Sequence, residues 1–458
     1  MSGNWERGLL WKRLTGVFEL GPAPFSAARR DLEPTGARSC GMRLWVLACG
    51  LLVLSGLLAA APAADVRGAG GTTQPRLYGV NWQGSLGLVR VDPDTLRPLS
   101  GRRVPIAGEP LGWSFSLDRS RIVLGSAARG ASLRLIDLRA MRALGDVRVT
   151  RRGSGVATAW AGPRRVLAVV VTPGCCGAGD TIVAGVDAGR GRVIWRRTLG
   201  GSLQAGERFR RGLLLVLGPH GRSLGGSRLV QVGPRGGIRS AALPEIRSGS
   251  ESKGMVTESW NPGLAVDRSG GRAFVVQAEA RVAEVDLATF QVRSHPLEPG
   301  ALAADAVAGP EREALWLGRG LLAVTGTDRQ SSADEPEIRE TPAGLTLVDT
   351  RRWRARTIDP RTTDAALVSG TLLATSFLFD SRRQTTSGSG LTGYSVNGRR
   401  KFHRYGNAPI TGVQPLGSKA LVGALDGTAL VDARTGRQLR RYPRLTMSLL
   451  SEDAPVSY

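Results

Sequence analysis

Few residues in this chain combine a reactive type with an unusual setting. Cys175 and Cys176 are adjacent within Pro173-Gly174-Cys-Cys-Gly177-Ala178-Gly179, and they are the only cysteines beyond residue 64. Neighbouring cysteines can close a strained disulfide ring, and flanking glycines tolerate the backbone it requires. Read from the residues alone, the pair is a disulfide stiffening a loop, a platform touching a ligand, or two thiols free to react or bind metal. The histidines, His220, His295 and His403, are far apart and lack the spacing of a metal site. His220 alone falls in a long loop, as does Asp180, which closes the cysteine-bearing segment. Glu251, Lys253, Glu258, Trp260 and Asn261 bring charge, an aromatic ring and an amide into one short stretch. Those are the ingredients of a recognition patch, although Trp260 packed at a strand edge explains the same pattern.

Asp334, Glu335, Glu337 and Glu340 form an acidic cluster. Carboxylates can hold cations, but the EF-hand order of acidic residues and glycine is absent, so a solvated loop is the simpler expectation. A serine elbow, a P-loop, a dinucleotide fingerprint and a zincin helix are all missing. No catalytic residue and no metal ligand is nominated, and the expectation leans away from an enzyme.

The elements that must position these residues repeat. A short apolar strand ends in Asp or an equivalent, a polar turn follows, and a second strand leaves it. The copies are 86–99, 132–144, 182–195, 229–243, 282–297, 345–358, 391–405 and 428–442, and between Arg76 and Pro443 they recur about every 46 residues. Propeller repeats have this length. Further strand pairs precede several copies, at 112–127, 157–171, 263–276 and 410–424, so each unit reads as strands A, B, C and D.

The expected fold is all-β, a single β-propeller of seven or eight four-stranded blades, with eight favoured. The first unit begins at Leu77 without a strand A, and a segment over Leu445–Leu450 can supply it, closing the ring and covering its edges. The sixth unit is irregular between Ala314 and Gly326. Trp82, Trp113, Trp160, Trp195, Trp316 and Trp353 recur through the units as expected inter-blade core.

Val186-Asp187-Ala188-Gly189-Arg190-Gly191-Arg192-Val193-Ile194-Trp195 resembles the repeat of the YVTN and quinoprotein-like (WD40-like) superfamily, in which an Asp-x-x-x-Gly turn leads into a strand ending in Trp. Val431–Arg437 matches the turn but lacks the Trp. The resemblance spans most of 76–443 and implies blade packing rather than an activity. In quinone-dependent alcohol dehydrogenases of this kind a vicinal cysteine pair lies against the quinone. The resemblance therefore implies pyrroloquinoline quinone with Ca²⁺ as the alternative cofactor, and a lactonase-like hydrolase as another enzymatic alternative; otherwise no cofactor is expected.

In such blades the A–B and C–D turns share one face, and the B–C loops and D-to-A links share the other. The long segments 172–180, 218–227, 327–342 and 380–390 are expected B–C loops, and 244–261 is an expected D-to-A link. One-sided insertion is the usual mark of a binding face. The proposed ligand-binding residues on it are Cys175, Cys176, Asp180, His220, Glu251, Lys253, Glu258, Trp260, Asn261, Glu335 and Glu337.

Residues 42–64 hold one arginine, an apolar run and Ala61-Pro62-Ala63, the form of a secretory signal peptide, with an uncleaved anchor as the alternative. Cys49 stands too early in the run to close a lipobox. Residues 1–41 read as an extension before the true start at Met42, 65–75 as a linker, 76–450 as the propeller and 451–458 as a tail. The expected setting is secreted or cell-envelope.

The formal charge is +24, but only four of the 62 basic residues are lysine, and the arginines are scattered without dense runs. That bias fits a GC-rich bacterial genome, and specific nucleic-acid binding is not expected. The expected protein is a monomer binding a protein, peptide or cell-envelope glycan.

Overall fold

In six of the eight C–D turns the same short-range bonding recurs. The carboxylates of Asp92, Asp137, Asp187, Asp286 and Asp349 each accept the backbone N–H two residues on, at 2.8–2.9 Å, and Asp432 accepts that of Thr435 at 2.8 Å. An aspartate that caps its own turn ends a strand and fixes the reversal. Four residues after it the chain enters the left-handed region, with φ of 61° at Gly191 and 68° at Gly436. Leu96, Met141, Phe290 and Trp353 occupy the same position with φ of 46–65°. A side chain there costs about 1 kcal/mol, and burial of apolar surface offsets it: Leu96 is wholly buried and Met141 nearly so.

The computed structural model describes residues 76–451 except 82–85, 100, 109, 127–129, 173–178, 222, 254–255, 298–308, 331–338, 382 and 444–446. Trp82, the 42–64 segment and the Cys175-Cys176 pair lie outside the described residues.

The described strands form eight antiparallel sheets, one per blade. Blade one holds β1 (Leu77–Asn81), β2 (Gly87–Val91) and β3 (Val104–Pro105), and blade two β4 (Gly112–Phe115), β5 (Arg121–Ser126), β6 (Ser132–Asp137) and β7 (Arg142–Arg148). Blade three runs through β8 (Ser154–Gly162), β9 (Arg165–Val171), β10 (Thr181–Asp187) and β11 (Arg192–Thr198). Blade four has β12 (Leu203–Phe209), β13 (Gly212–Leu217), β14 (Leu224–Val232) and β15 (Ile238–Lys253), with β16 (Val256–Trp260) as a fifth strand. Blade five is β17 (Gly263–Asp267), β18 (Arg272–Gln277), β19 (Arg281–Asp286) and β20 (Val292–Pro296).

Blade six comprises β21 (Gly309–Gly318), β22 (Leu321–Gln330), β24 (Leu345–Asp349) and β25 (Arg354–Asp359), with β23 (Arg339–Pro342) added on the far half of β22. Blade seven comprises β26 (Asp364–Val368), β27 (Thr371–Thr375), β30 (Leu391–Ser395) and β31 (Arg400–Arg404), and its B–C loop carries the hairpin β28 (Leu378–Asp380) and β29 (Thr385–Ser387). Blade eight is β32 (Ile410–Leu416), β33 (Lys419–Ala424), β34 (Gly427–Asp432) and β35 (Gln438–Pro443). The last strand, β36 (Met447–Ser451), pairs antiparallel with β1, Leu77 facing Ser451, and supplies strand A of blade one. The favoured blade number and the closing strand are as expected from the sequence.

Burial follows position in the blade. Strand A of blade five is wholly buried and strand D, β20, is largely exposed. The seams between blades hold the large rings: Trp160 is fully buried and donates to the Ser114 carbonyl of blade two at 3.1 Å, and Phe274 of blade five stacks on Trp316 of blade six at 5.3 Å. Trp195 lies over Gly236 of the next blade's turn, where a Cβ would meet its ring at 3.0 Å, and donates to the Pro234 carbonyl at 3.4 Å. His295 fills the equivalent place between blades five and six, stacked on Trp353 at 3.5 Å and bonded to Glu284 at 2.9 Å. It is therefore a packing residue of the seam.

Many arginines are stitches between blades. Arg228 reaches the Gly200 carbonyl at 2.8 Å, Arg239 that of Ala288 at 2.8 Å, Arg165 that of Pro234 at 3.0 Å and Arg356 that of Asn397 at 3.1 Å. Part of the large positive charge is thus structural, which a linear count cannot show.

Candidate functional site

The insertions meet on one face. β15 is a 16-residue strand whose far end leaves blade four: Leu224–Gly226 of β14 pair with Arg247–Gly249, and β16 then pairs with Gly249–Lys253. From there Asn261 and Pro262 lead directly into β17 of blade five. Asn261 donates its N–H to the Pro310 carbonyl at 3.0 Å and accepts from the Arg312 N–H at 2.8 Å, so it stitches the link to strand A of blade six. β22 runs past its own blade to pair with β23, and Arg339 of β23 bridges to Asp380 of β28. Insertions of blades four, six and seven are thereby joined by main-chain pairing into one strip.

Beneath the strip lies a buried ionic group. Arg312, 1% exposed, donates to Asp328 Oδ1 at 2.6 Å and to the Glu311 carbonyl at 2.9 Å. Arg329 donates to Glu340 Oε1 at 3.2 Å and lies 3.7 Å from Glu311. Burial works to lower the Arg329 pKa, but Glu340 and Glu311 outweigh it and hold the guanidinium above its ordinary value. Glu340 Oε2 accepts the Phe379 N–H at 3.1 Å, which fastens β28 to β23. A cavity of ≈ 20 Å³, room for about one water, lies among Glu311, Glu313, Thr327, Arg329 and Thr363.

This arrangement fastens; it does not poise a nucleophile. Glu340 belongs to it, which corrects the solvated-loop reading of the acidic cluster for that residue: β23 brings it under the strip and against Arg329. Asp334, Glu335 and Glu337 lie outside the described residues. Among the described residues, no three of His, Cys, Asp and Glu converge as a metal-binding set. The carboxylate set that a quinone and Ca²⁺ would need is not found among them.

The other candidates fall into two groups. Asp180 and His220 come together, Oδ1 to Nδ1 at 2.8 Å, joining the loops of blades three and four. Asp180 also shares reciprocal bonds with Thr172 that pinch the base of the cysteine loop. Around the D-to-A link, Trp260 donates to Glu258 Oε1 at 2.7 Å and lies under the Arg247 guanidinium at 4.7 Å. At 7% exposure Trp260 is packed rather than presented. Glu251 stands opposite Glu258 in the β15–β16 pair, and Lys253 ends β15. The loop that carries His220 lies against the link: Leu224–Gly226 pair with Arg247–Gly249, and a Cβ on Gly249 would meet Pro219 at 3.1 Å. Sequence reasoning missed Glu311, Arg312, Asp328 and Arg329. The available signal was Glu311-Arg312-Glu313, a charged triplet inside a strand that faces the ring interior.

Another buried acid lies toward the opposite face. Burial raises the Glu207 pKa to about 7, against the lowering effect of Arg268, 3.1 Å away on the next blade.

No protein-family model matches the chain, and no curated protein does. Among solved structures it is similar to the dihydro-heme d1 dehydrogenase NirN in complex with DHE, with TM-score 0.50 and 13% identity over 85% of this chain and 78% of that one. It is also similar to BamB from Moraxella catarrhalis, with TM-score 0.44 and 13% identity over 81% and 92% of the two chains. At this identity the likeness shows the fold alone. The class is a β-propeller, shared by enzymes and binding proteins.

Proposed function

We propose that this is an exported, non-catalytic propeller that binds a protein, peptide or cell-envelope glycan through its B–C face. The supporting observation is the main-chain joining of insertions from blades four, six and seven. Loops drifting without a shared task have no reason to pair with one another, whereas paired strands make a stiff surface whose ordering entropy is already spent before a partner arrives. Each arginine beneath it is paired with carboxylates, so the charged group braces the surface.

The test replaces 251–258 and 378–387 with short turns, leaving Arg329 and Glu340 in place. Partners captured from a cell-envelope extract are then identified by mass spectrometry for both forms. The double replacement should lose those that the intact protein retains while its circular dichroism stays unchanged. An unaltered partner set would refute the assignment of this face.

A further inference from the structure

The arginines that are scattered along the sequence gather in space. A–B and C–D turns alternate along the chain, yet antiparallel blades place all of them on one face. Arg139, Arg190, Arg211, Arg235, Arg399 and Arg434 are exposed turn residues from blades two, three, four, seven and eight. Blade three carries Arg164, Arg165, Arg190 and Arg192 around its two turns against the single Asp187, and the turns of blade four carry Arg210, Arg211 and Arg235 with no carboxylate. Six of the C–D aspartates cap their own turns, and Asp94 pairs with Lys419 of blade eight at 2.6 Å.

Two further observations say what such a face meets. Its turns are uniformly tight, so it has no walls to hold a linear polymer and suits a broad, flat anion. The chain also enters the ring on this face: β1 is a B strand, so Arg76 and Leu77 lie at its tight-turn end, opposite Ser451. The apolar run from Leu44 to Ala61 precedes that point by a short linker, and residues 62–75 span at most roughly 46–50 Å when extended. A membrane holding or releasing that run is within reach of the arginine turns.

We infer that the tight-turn face docks on a membrane surface of anionic phospholipid, turning the B–C face outward. This goes beyond the partner-binding reading and does not depend on it. Clustered basic residues within a Debye length of anionic headgroups bind additively and lose that binding in salt.

The experiment measures partition of the full chain onto phosphatidylglycerol-containing vesicles and onto phosphatidylcholine vesicles, so that the apolar run contributes to both and the ratio isolates charge. Replacing the six named arginines by Gln should lower the ratio tenfold or more at about 0.05 M salt, and about 0.5 M salt should abolish the preference in the intact chain. A control variant with Arg148, Arg151, Arg152, Arg197, Arg361 and Arg404 replaced by Gln, all toward the opposite face or the rim, should change the ratio less than about twofold. Thermal unfolding checks both variants, and the triple Arg190→Gln, Arg235→Gln, Arg434→Gln serves if the sixfold form fails to fold. Equal losses in the two variants overturn the assignment of this face. A ratio near one for the intact chain, or tight binding of soluble polyphosphate without vesicle binding, overturns the membrane.

Discussion

The two faces of the ring are built by different physics. On the tight-turn face most C–D reversals are closed within a few residues by an aspartate and a left-handed residue, and neighbouring turns are tied by single contacts such as Arg165 to the Pro234 carbonyl and Trp195 over Gly236. On the B–C face, strands from three blades pair with one another, and buried charges hold them from below. The first face is many small local solutions; the second is one cooperative object. Mutations should therefore have small, separable effects on the tight-turn face and large, coupled ones on the other.

The largest expected effect is at Arg312→Ala, which leaves Asp328 buried without its cation. A loss of about 3–5 kcal/mol is expected, read as a lower denaturation midpoint. The double replacement Arg312→Met, Asp328→Leu should recover most of it, because it removes both charges from the interior. Failure to recover would mean that the pair also specifies the strip's geometry.

Next comes Glu207, which belongs to the tight-turn side but bridges two blades. Its folded pKa of about 7 exceeds its ordinary value of 4.5. Below the ordinary value both states are protonated and the group contributes no difference. As pH rises through that value toward 7, the unfolded chain ionises first and stability falls, by roughly 1–3 kcal/mol in all. Glu207→Gln should flatten this fall between about pH 4.5 and 7; denaturation midpoints across that range decide, and an unchanged slope would place the effect elsewhere.

Trp195→Ala should cost about 2–3 kcal/mol by opening the seam with Gly236, without altering the B–C face. Calorimetry with hydrogen exchange on blades three and four measures it, and protection lost at β28 would break the proposed independence of the two regions.

The smallest effect is expected at Asp118, whose pKa the hydroxyls of Ser116 and Ser120 lower to about 2. Its contribution is present above the ordinary carboxylate range and is lost as pH falls through about 2. For so exposed a group it amounts to a few tenths of a kcal/mol. Asp118→Asn should remove that acid-side loss while leaving the neutral-pH midpoint nearly unchanged.

Much of the ring was legible because its rules are short-range. The apolar run, the terminal Asp and the following turn sit within one stretch of chain, so the C–D hairpins of blades two to eight could be read in order, whereas strand D of blade one falls at Val104–Pro105, beyond the copy at 86–99; the missing first strand pointed to the last. The B–C face was legible only as excess length. Nothing near Glu340 in sequence announces Arg329, and the ring of Trp260 looks as available for recognition as for packing until Arg247 is seen to cover it.

What the sequence by itself determined is the repeat, its strand-and-turn chemistry and the closing strand, since hydrogen bonds within a few residues need no distant partner. Only the tertiary structure decided which insertions pair, which carboxylates are buried against arginine, and that turn arginines from distant repeats share one face. Those outcomes follow from how antiparallel strands alternate direction around a closed ring, which places residues far apart in the chain side by side.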